Sequence, residues 1–345
     1  MKSKNKIFIK SIGAGISMSI PLIIGILSKD PNICTFGALG SFSFLIFRDR
    51  SIIWNIKAIV LHAIALLFSF FFGLITGMHS WILPFVISII SFIAFFFTRI
   101  YRIPKPDYFF VIMVFASGFN IRVNNIIQAF DNSIYLLYGI CGALIACILT
   151  SLIMGLPKSL KKDDYESFTF LDKYYVTIHK SPDMFLKACH FSSVIFITAY
   201  ISYLFRDNSG YWVLVSSAAI LAGEHLNAIR KRTIGRVLGT LFGLIFGYFL
   251  IKIDMNKEVT IIFIIMFAVL IEYFVSLNYT LANFFINPQV LLLMSLHEQS
   301  YKYSILSVRF AGVVIGSIIA MLLIFLMTHS IRLMDHYTIP KYYQD

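Results

Sequence analysis

The chain has 345 residues, of which 59% are hydrophobic and 13% charged, with a mean hydropathy of +0.82 and a formal net charge of +12. Soluble domains carry about 25% charged residues, so too few charges remain to cover a water-facing surface, and lipid must face most of it. The Lys and Arg fall in short clusters between apolar runs rather than on one face, which argues against a nucleic-acid partner and fits phospholipid headgroups.

The N-terminal stretch KSKNKIFIK is basic and leads into apolar sequence without an A-x-A-like cleavage site, so it is expected to stay as a first membrane helix. A spanning helix needs about 20 mostly apolar residues, and a run of 10–14 is more often re-entrant or buried. By that measure the first half holds apolar segments at 8–27, 33–47, 52–76, 81–98, 107–121 and 133–156. The second half holds them at 187–205, 211–223, 233–251, 259–277, 281–296 and 304–328. The expected fold is all-α: a polytopic membrane protein with about twelve transmembrane helices in two six-helix halves, 1–156 and 187–330. Residues 157–186 contain the densest run of charges and read as a partly helical cytoplasmic linker; 331–345 read as a cytoplasmic tail.

With twelve crossings and a cytoplasmic N-terminus, 22 of the 29 Lys and Arg fall on the cytoplasmic side. A wrong helix count in either half would scramble that bias, so it supports both the topology and an orientation with both termini cytoplasmic. The expected location is the cell membrane.

The halves resemble each other. IKSIGAGISMSIPLIIGILSKD (9–30) matches LKACHFSSVIFITAYISYLFRD (186–207) in length, opening Lys and closing charged pair. Each is followed by a short apolar segment, then by a basic cluster, then by a helix with small residues every four positions. Those residues are Ala65, Ser69, Gly73 and Gly77 in one half and Gly239, Gly243 and Gly247 in the other. Spacing of four puts them on one face, where another helix can approach closely. An even number of crossings in each half implies a pseudo-twofold axis along the membrane normal. The segments 33–47 with 211–223, and 107–121 with 281–296, are short, and the last is interrupted at Asn287-Pro288. Paired short or broken segments are the best sequence pointer to a transporter's midplane site.

Ionisable groups inside such segments face a cavity or a partner. The candidates are His62, Asp107, Glu224, Arg236, Glu272, Arg309 and Glu298. Arg236 attracts an anionic substrate or pairs with an acid on one reading, and snorkels to headgroups on the other. Glu272, within IIFIIMFAVLIEYFV, is expected either in a buried pair with Arg309 or Arg236 or as a proton-coupling carboxylate; Glu224 is the second proton-coupling candidate, although a solvated helix end suits it as well. His62 stands 174 residues before Arg236, the repeat offset, though a lone His among apolar residues is more often hydrogen-bonded packing. Asn283, Asn287 and Gln289, with Trp212, Ser216 and Ser217, could line a path for a small amphipathic molecule. Four Cys without CxxC spacing and eight scattered His give no metal site, and no cofactor is expected. No Walker A sequence and no nucleophile–base pairing suggest an enzyme.

The stretch GYWVLVSSAAILAGEHLNAIRKRTIGRVLGTLFGLIFGYFL (210–250) resembles the fusaric acid resistance protein-like family, related to the aromatic acid exporters. The resemblance rests on the Tyr-Trp opening, the polar basic turn and the R-x-x-G-T-x-x-G pattern at Arg236, Gly239, Thr240 and Gly243. It implies export of aromatic carboxylates or other small organic compounds, driven by the proton gradient, and plant relatives imply an anion channel as the alternative; a non-transporting scaffold ranks last. Trp212, Ser216, Arg236, Thr240, Asn283 and Asn287 are then the candidate substrate-contacting residues. The expected partners are a small organic anion, the bilayer and a possible second copy of the chain. Many members carry a soluble domain after each set of six helices, which this chain lacks between its halves.

Overall fold

A computed structural model describes residues 3–103, 108–158, 168–206, 210–223, 226–253, 255–297 and 304–338. Among these the chain is helical without strands. Its helices are α1 (Ser3–Leu27), α2 (Pro31–Ser41), α3 (Ile52–Met78), α4 (Leu83–Ile100), α5 (Phe109–Phe119), α6 (Ile126–Ile134) and α7 (Leu136–Ile153). They continue as α8 (Phe170–Lys180), α9 (Met184–Leu204), α10 (Tyr211–Leu221), α11 (Leu226–Lys252), α12 (Lys257–Val275), α13 (Tyr279–His297) and α14 (Ser304–Thr338). Among the described residues nine spans are long and apolar enough to cross a membrane, and three shorter apolar helices cover Pro31–Ile46, Phe109–Phe119 and Tyr211–Leu221. The protein is a multi-pass membrane protein.

Helix starts follow local chemistry. Asp30 precedes Pro31 and accepts the Asn32 N–H at 2.9 Å to open α2. Ser51 caps α3, Asn125 caps α6 and Asn256 caps α12 in the same way, each satisfying an N–H that the helix itself leaves unpaired. Rows of large apolar side chains remain exposed, among them Leu61 and Phe68 on α3, Phe85 and Ile89 on α4, and Phe242 and Phe249 on α11. Such rows belong against acyl chains.

The short helices lie inside. Eleven residues span about 17 Å, against a hydrocarbon core of about 30 Å, so their ends sit at membrane depth and must be covered by protein. In α10 every residue from Trp212 to Leu221 is buried. One of its first free N–H groups, that of Leu214, donates to Ser202 of α9 at 3.2 Å.

The contacts are reciprocal between the halves. The first helix of each packs on the fourth span of the other, α1 on α12 and α9 on α4. The second packs on the fifth of the other, α2 on α13 and α10 on α5. Within each half the helix with the small-residue row packs on the fifth element, α3 on α5 and α11 on α13.

Four expectations need correction. The segment expected at 281–296 is not short: α13 runs through Pro288 and is long enough to span. Proline can sit there because Phe284, whose carbonyl loses the N–H of residue 288, meets Gly243 of α11. The basic residues Arg230, Lys231 and Arg232 belong to the first turns of α11, not to a turn before it. The sixth segment begins at Ile126 rather than 133, with α6 and α7 joined through Tyr135 into one span. Finally, α14 continues to Thr338, so part of the expected tail is helix.

Candidate functional site

The glycine rows act through backbone approach. A Cβ at Gly73 would meet the Phe115 carbonyl, and one at Gly243 would meet the Phe284 carbonyl. At Gly239 it would lie 2.6 Å from the Thr280 carbonyl, and at Gly247 2.6 Å from Leu291 Cδ1. Ser69 joins the first row by donating to the Val111 carbonyl at 2.5 Å. This contact of α11 with α13 brings Arg236 beside Asn283, whose Cβ rests 2.7 Å from the position a Gly239 Cβ would take.

Arg236 is buried and does not snorkel. Its Nε donates to Ser216 Oγ on α10 at 3.0 Å, and its NH1 donates to Asn283 Oδ1 on α13 at 3.3 Å. Ser216 shares a hydrogen bond with Ser317 of α14 at 3.0 Å and lies 3.0 Å from the Val313 carbonyl. Asn283 and Asn287 each donate to a carbonyl one turn earlier, Tyr279 and Asn283 respectively. Among the described residues no carboxylate pairs with Arg236.

One turn before Ser216, about 6 Å along α10, stands Trp212. Arg309 of α14 places its guanidinium carbon 3.8 Å from the centre of the Trp212 ring, within the range of a strong cation–π contact. Both side chains are buried, Trp212 at 8% exposure and Arg309 at 2%. The Trp212 indole Nε1 has no hydrogen-bond acceptor among the described residues. A buried donor without an acceptor is uncommon in folded proteins. Gly312 and Gly316 let α14 close on Trp212 and Val213. Two guanidinium groups and an unmatched indole N–H thus converge on one short helix, in surroundings that suit an anion with several acceptor lone pairs.

The structure brings together Trp212, Ser216, Arg236 and Asn283, with Asn287 one turn further on. Thr240 is buried one turn after Arg236 but makes none of these hydrogen bonds. Gln289 faces α12, donating to the Ile264 carbonyl at 3.2 Å, and Ser217 bonds within its own helix. Glu224, Asp107 and Glu298 lie outside the described residues. Glu272 pairs with neither arginine: its partner is Lys10 of α1, at 2.6 Å. Glu272 stands one turn before the end of α12, and Lys10 also reaches the Leu45 carbonyl at 3.4 Å. Arg48 acts on the same carboxylate from the loop before α3. His62 is buried beside Phe110, and neither ring nitrogen has a hydrogen-bond partner among the described residues. Burial of His62 fits the packing role expected for it, and the Ser43 backbone lies beside its ring. Ser317, Lys10 and the stacking of Arg309 on Trp212 escaped sequence reasoning. The i, i+4, i+8 spacing of Arg309, Val313 and Ser317 was the available signal.

Residues 197–323 match the family model described as fusaric acid resistance protein-like. That segment contains Trp212, Ser216, Arg236, Asn283, Arg309 and Ser317. An uncharacterized protein of Haemophilus influenzae is 30% identical over 148 residues, which is 43% of this chain and 19% of the relative. The match spans about a fifth of that relative's length. No solved structure matches the chain.

Proposed function

We propose that the protein is a secondary transporter that exports small organic acids across the cell membrane, built as two repeats that rock against each other. The observation that carries this reading is the pair of buried arginines that meet α10 one turn apart, Arg236 of α11 at Ser216 and Arg309 of α14 at Trp212, with the Trp212 N–H unmatched among the described residues. A carboxylate would offer the Trp212 N–H an acceptor and give the two guanidinium groups a counter-charge. The Trp212 and Tyr211 rings, 4.6 Å apart, would lie against an aromatic or apolar body. The matched family segment covers all of these residues, which supports a role in transport.

Proton coupling is assigned to the carboxylate of Glu272. Its partner Lys10 belongs to the other half, so protonation would release a tie between the halves at the end of α12. Glu224 keeps the second coupling role. A passive anion channel is the alternative, favoured by one observation: among the described residues no carboxylate shares the Arg236 site.

Both readings are tested with purified protein in liposomes loaded with benzoate. An imposed pH difference should drive benzoate against its own gradient, and E272Q should abolish that accumulation. Benzoate conductance that follows voltage, indifferent to pH and to E272Q, would establish the channel. No benzoate movement by either route, from protein that melts cooperatively, would reject organic-acid transport.

A further inference from the structure

The helix between the halves has one face that the protein leaves uncovered. In α8 a capping box fixes the start, with Thr169 and Asp172 bonded to each other in both directions. Phe170, Tyr174 and Lys173 turn towards α4. The Phe170 ring lies 6.1 Å from Phe97 and 6.5 Å from Tyr101, Tyr174 lies 6.1 Å from Phe96, and the Lys173 ammonium stands 5.2 Å over the Tyr101 ring. Helical spacing then sets Leu171, Tyr175 and Ile178 on the adjoining stripe. Leu171 and Tyr175 are 61% and 60% exposed. Asp172, His179 and Lys180 occupy the remaining, polar arc.

The position of that stripe identifies what covers it. Phe96, Phe97 and Tyr101 belong to the last turn of α4 and the residue after it, so α8 lies at the end of a membrane span. The same span exposes Phe85, Ile89 and Ile93 to lipid. Beyond α8 the chain passes directly into α9, another span, whose first turn exposes Phe185 and Leu186. Basic residues rim the region: Arg99, Arg102, Lys173 and Lys180. An amphipathic helix at the end of a span has the make-up of helices that lie in the membrane plane, and a basic rim complements an anionic headgroup.

We propose that α8 is a phospholipid-binding helix: Leu171, Tyr175 and Ile178 dip into the acyl region of the leaflet at this end of α4, and an anionic headgroup binds at Lys173 and Lys180. The helix packs on α4 and continues into α9, and α4 and α9 form a seam between the halves. Ser192 of α9 donates to the Ser88 carbonyl of α4 in that seam, at 2.8 Å. A lipid held by α8 would therefore act on a seam between the halves, whatever the protein carries.

The test uses the full chain in nanodiscs of phosphatidylcholine and phosphatidylglycerol, with L171W on the stripe and H179W on the polar arc. Acyl-brominated phospholipid should quench the added emission of L171W strongly and that of H179W weakly, against the background of Trp54, Trp81 and Trp212. At equal mole fraction, brominated phosphatidylglycerol should quench L171W more than brominated phosphatidylcholine. K173Q with K180Q should remove that excess, with local anionic lipid falling by about fivefold for each basic side chain lost. Equal, water-like emission from both tryptophans would overturn the in-plane helix. Shielding of L171W that rises with protein-to-lipid ratio but not with bromination would assign the stripe to a second copy instead. Strong quenching without preference for phosphatidylglycerol would overturn the headgroup site.

Discussion

Arg236 donates through its guanidinium fork to two different helices, and lysine cannot reproduce that fork although it keeps the charge. Truncating one partner of a desolvated charge pair costs about 2–5 kcal/mol, so R236Q should weaken carboxylate binding by about 30-fold or more. R236K should fall between R236Q and the wild type, as read from calorimetric affinity for benzoate. A second prediction concerns Asp172, whose carboxyl is held below the usual range by hydrogen bonds from the Thr169 side chain and backbone. A depressed folded-state value means that the cap contributes stability above the ordinary Asp range and loses it as pH falls through the folded value. Amide exchange in α8, corrected for its intrinsic rate, should therefore rise on acidification below that range, and T169A should show the rise already at neutral pH. Single residues were legible in the sequence where chemistry stood out against an apolar background, as for Arg236 and Trp212. Their partners were not, because Arg309 and Ser317 join the site through the close approach of α14 to α10, which depends on Gly312 and Gly316 facing the right helix.

At the level of elements, the rows of small residues set the distance between α3 and α5 and between α11 and α13. Added volume in a contact already at backbone distance costs about 1–3 kcal/mol. G73A and G243A should each lower the melting temperature of the purified protein, since the new methyl meets a carbonyl with no flexible side chain to yield. G77A should be milder, because its methyl would stand 3.1 Å from the Phe119 carbonyl. Equal effects at Gly73 and Gly77 would contradict this picture of the interface. Element boundaries were legible where apolar runs end in Ser, Asn or Asp caps, as at Ser51 and Asn256. They were misread where a rule of local sequence met a tertiary override. Pro288 marks a break in most helices, but here α13 continues because Gly243 lets α11 cover the freed Phe284 carbonyl. The Arg230–Arg232 cluster looked like a turn, yet those side chains extend from a helix: Arg232 donates to the Ala219 carbonyl at 3.0 Å and stacks on Tyr279.

Across the whole molecule, the halves meet along α1 with α12 and α9 with α4, and also through α2 with α13 and α10 with α5. Only the first carries the Lys10–Glu272 pair. Removing one member strands the other in a poorly hydrated seam, whereas replacing both with apolar residues of similar size is often tolerated. E272L and K10M should each destabilise the protein, and the K10M/E272L double variant should recover much of the loss in a thermal melt. No recovery would mean that the two side chains act independently. The all-helical, multi-pass character was legible from length and hydropathy; the pairing of seams was not, since sequence order alone does not say which helix packs against which.

In the proposed transporter a carboxylate binds at α10 between Arg236 and Arg309, at one site per chain. Titration of benzoate into purified protein, followed by calorimetry, tests it most directly. The expected result is one site per chain, lost in both R236Q and R309Q but kept in E272Q, with all variants still melting cooperatively. Benzoate binding that persists unchanged in R236Q and R309Q would contradict it.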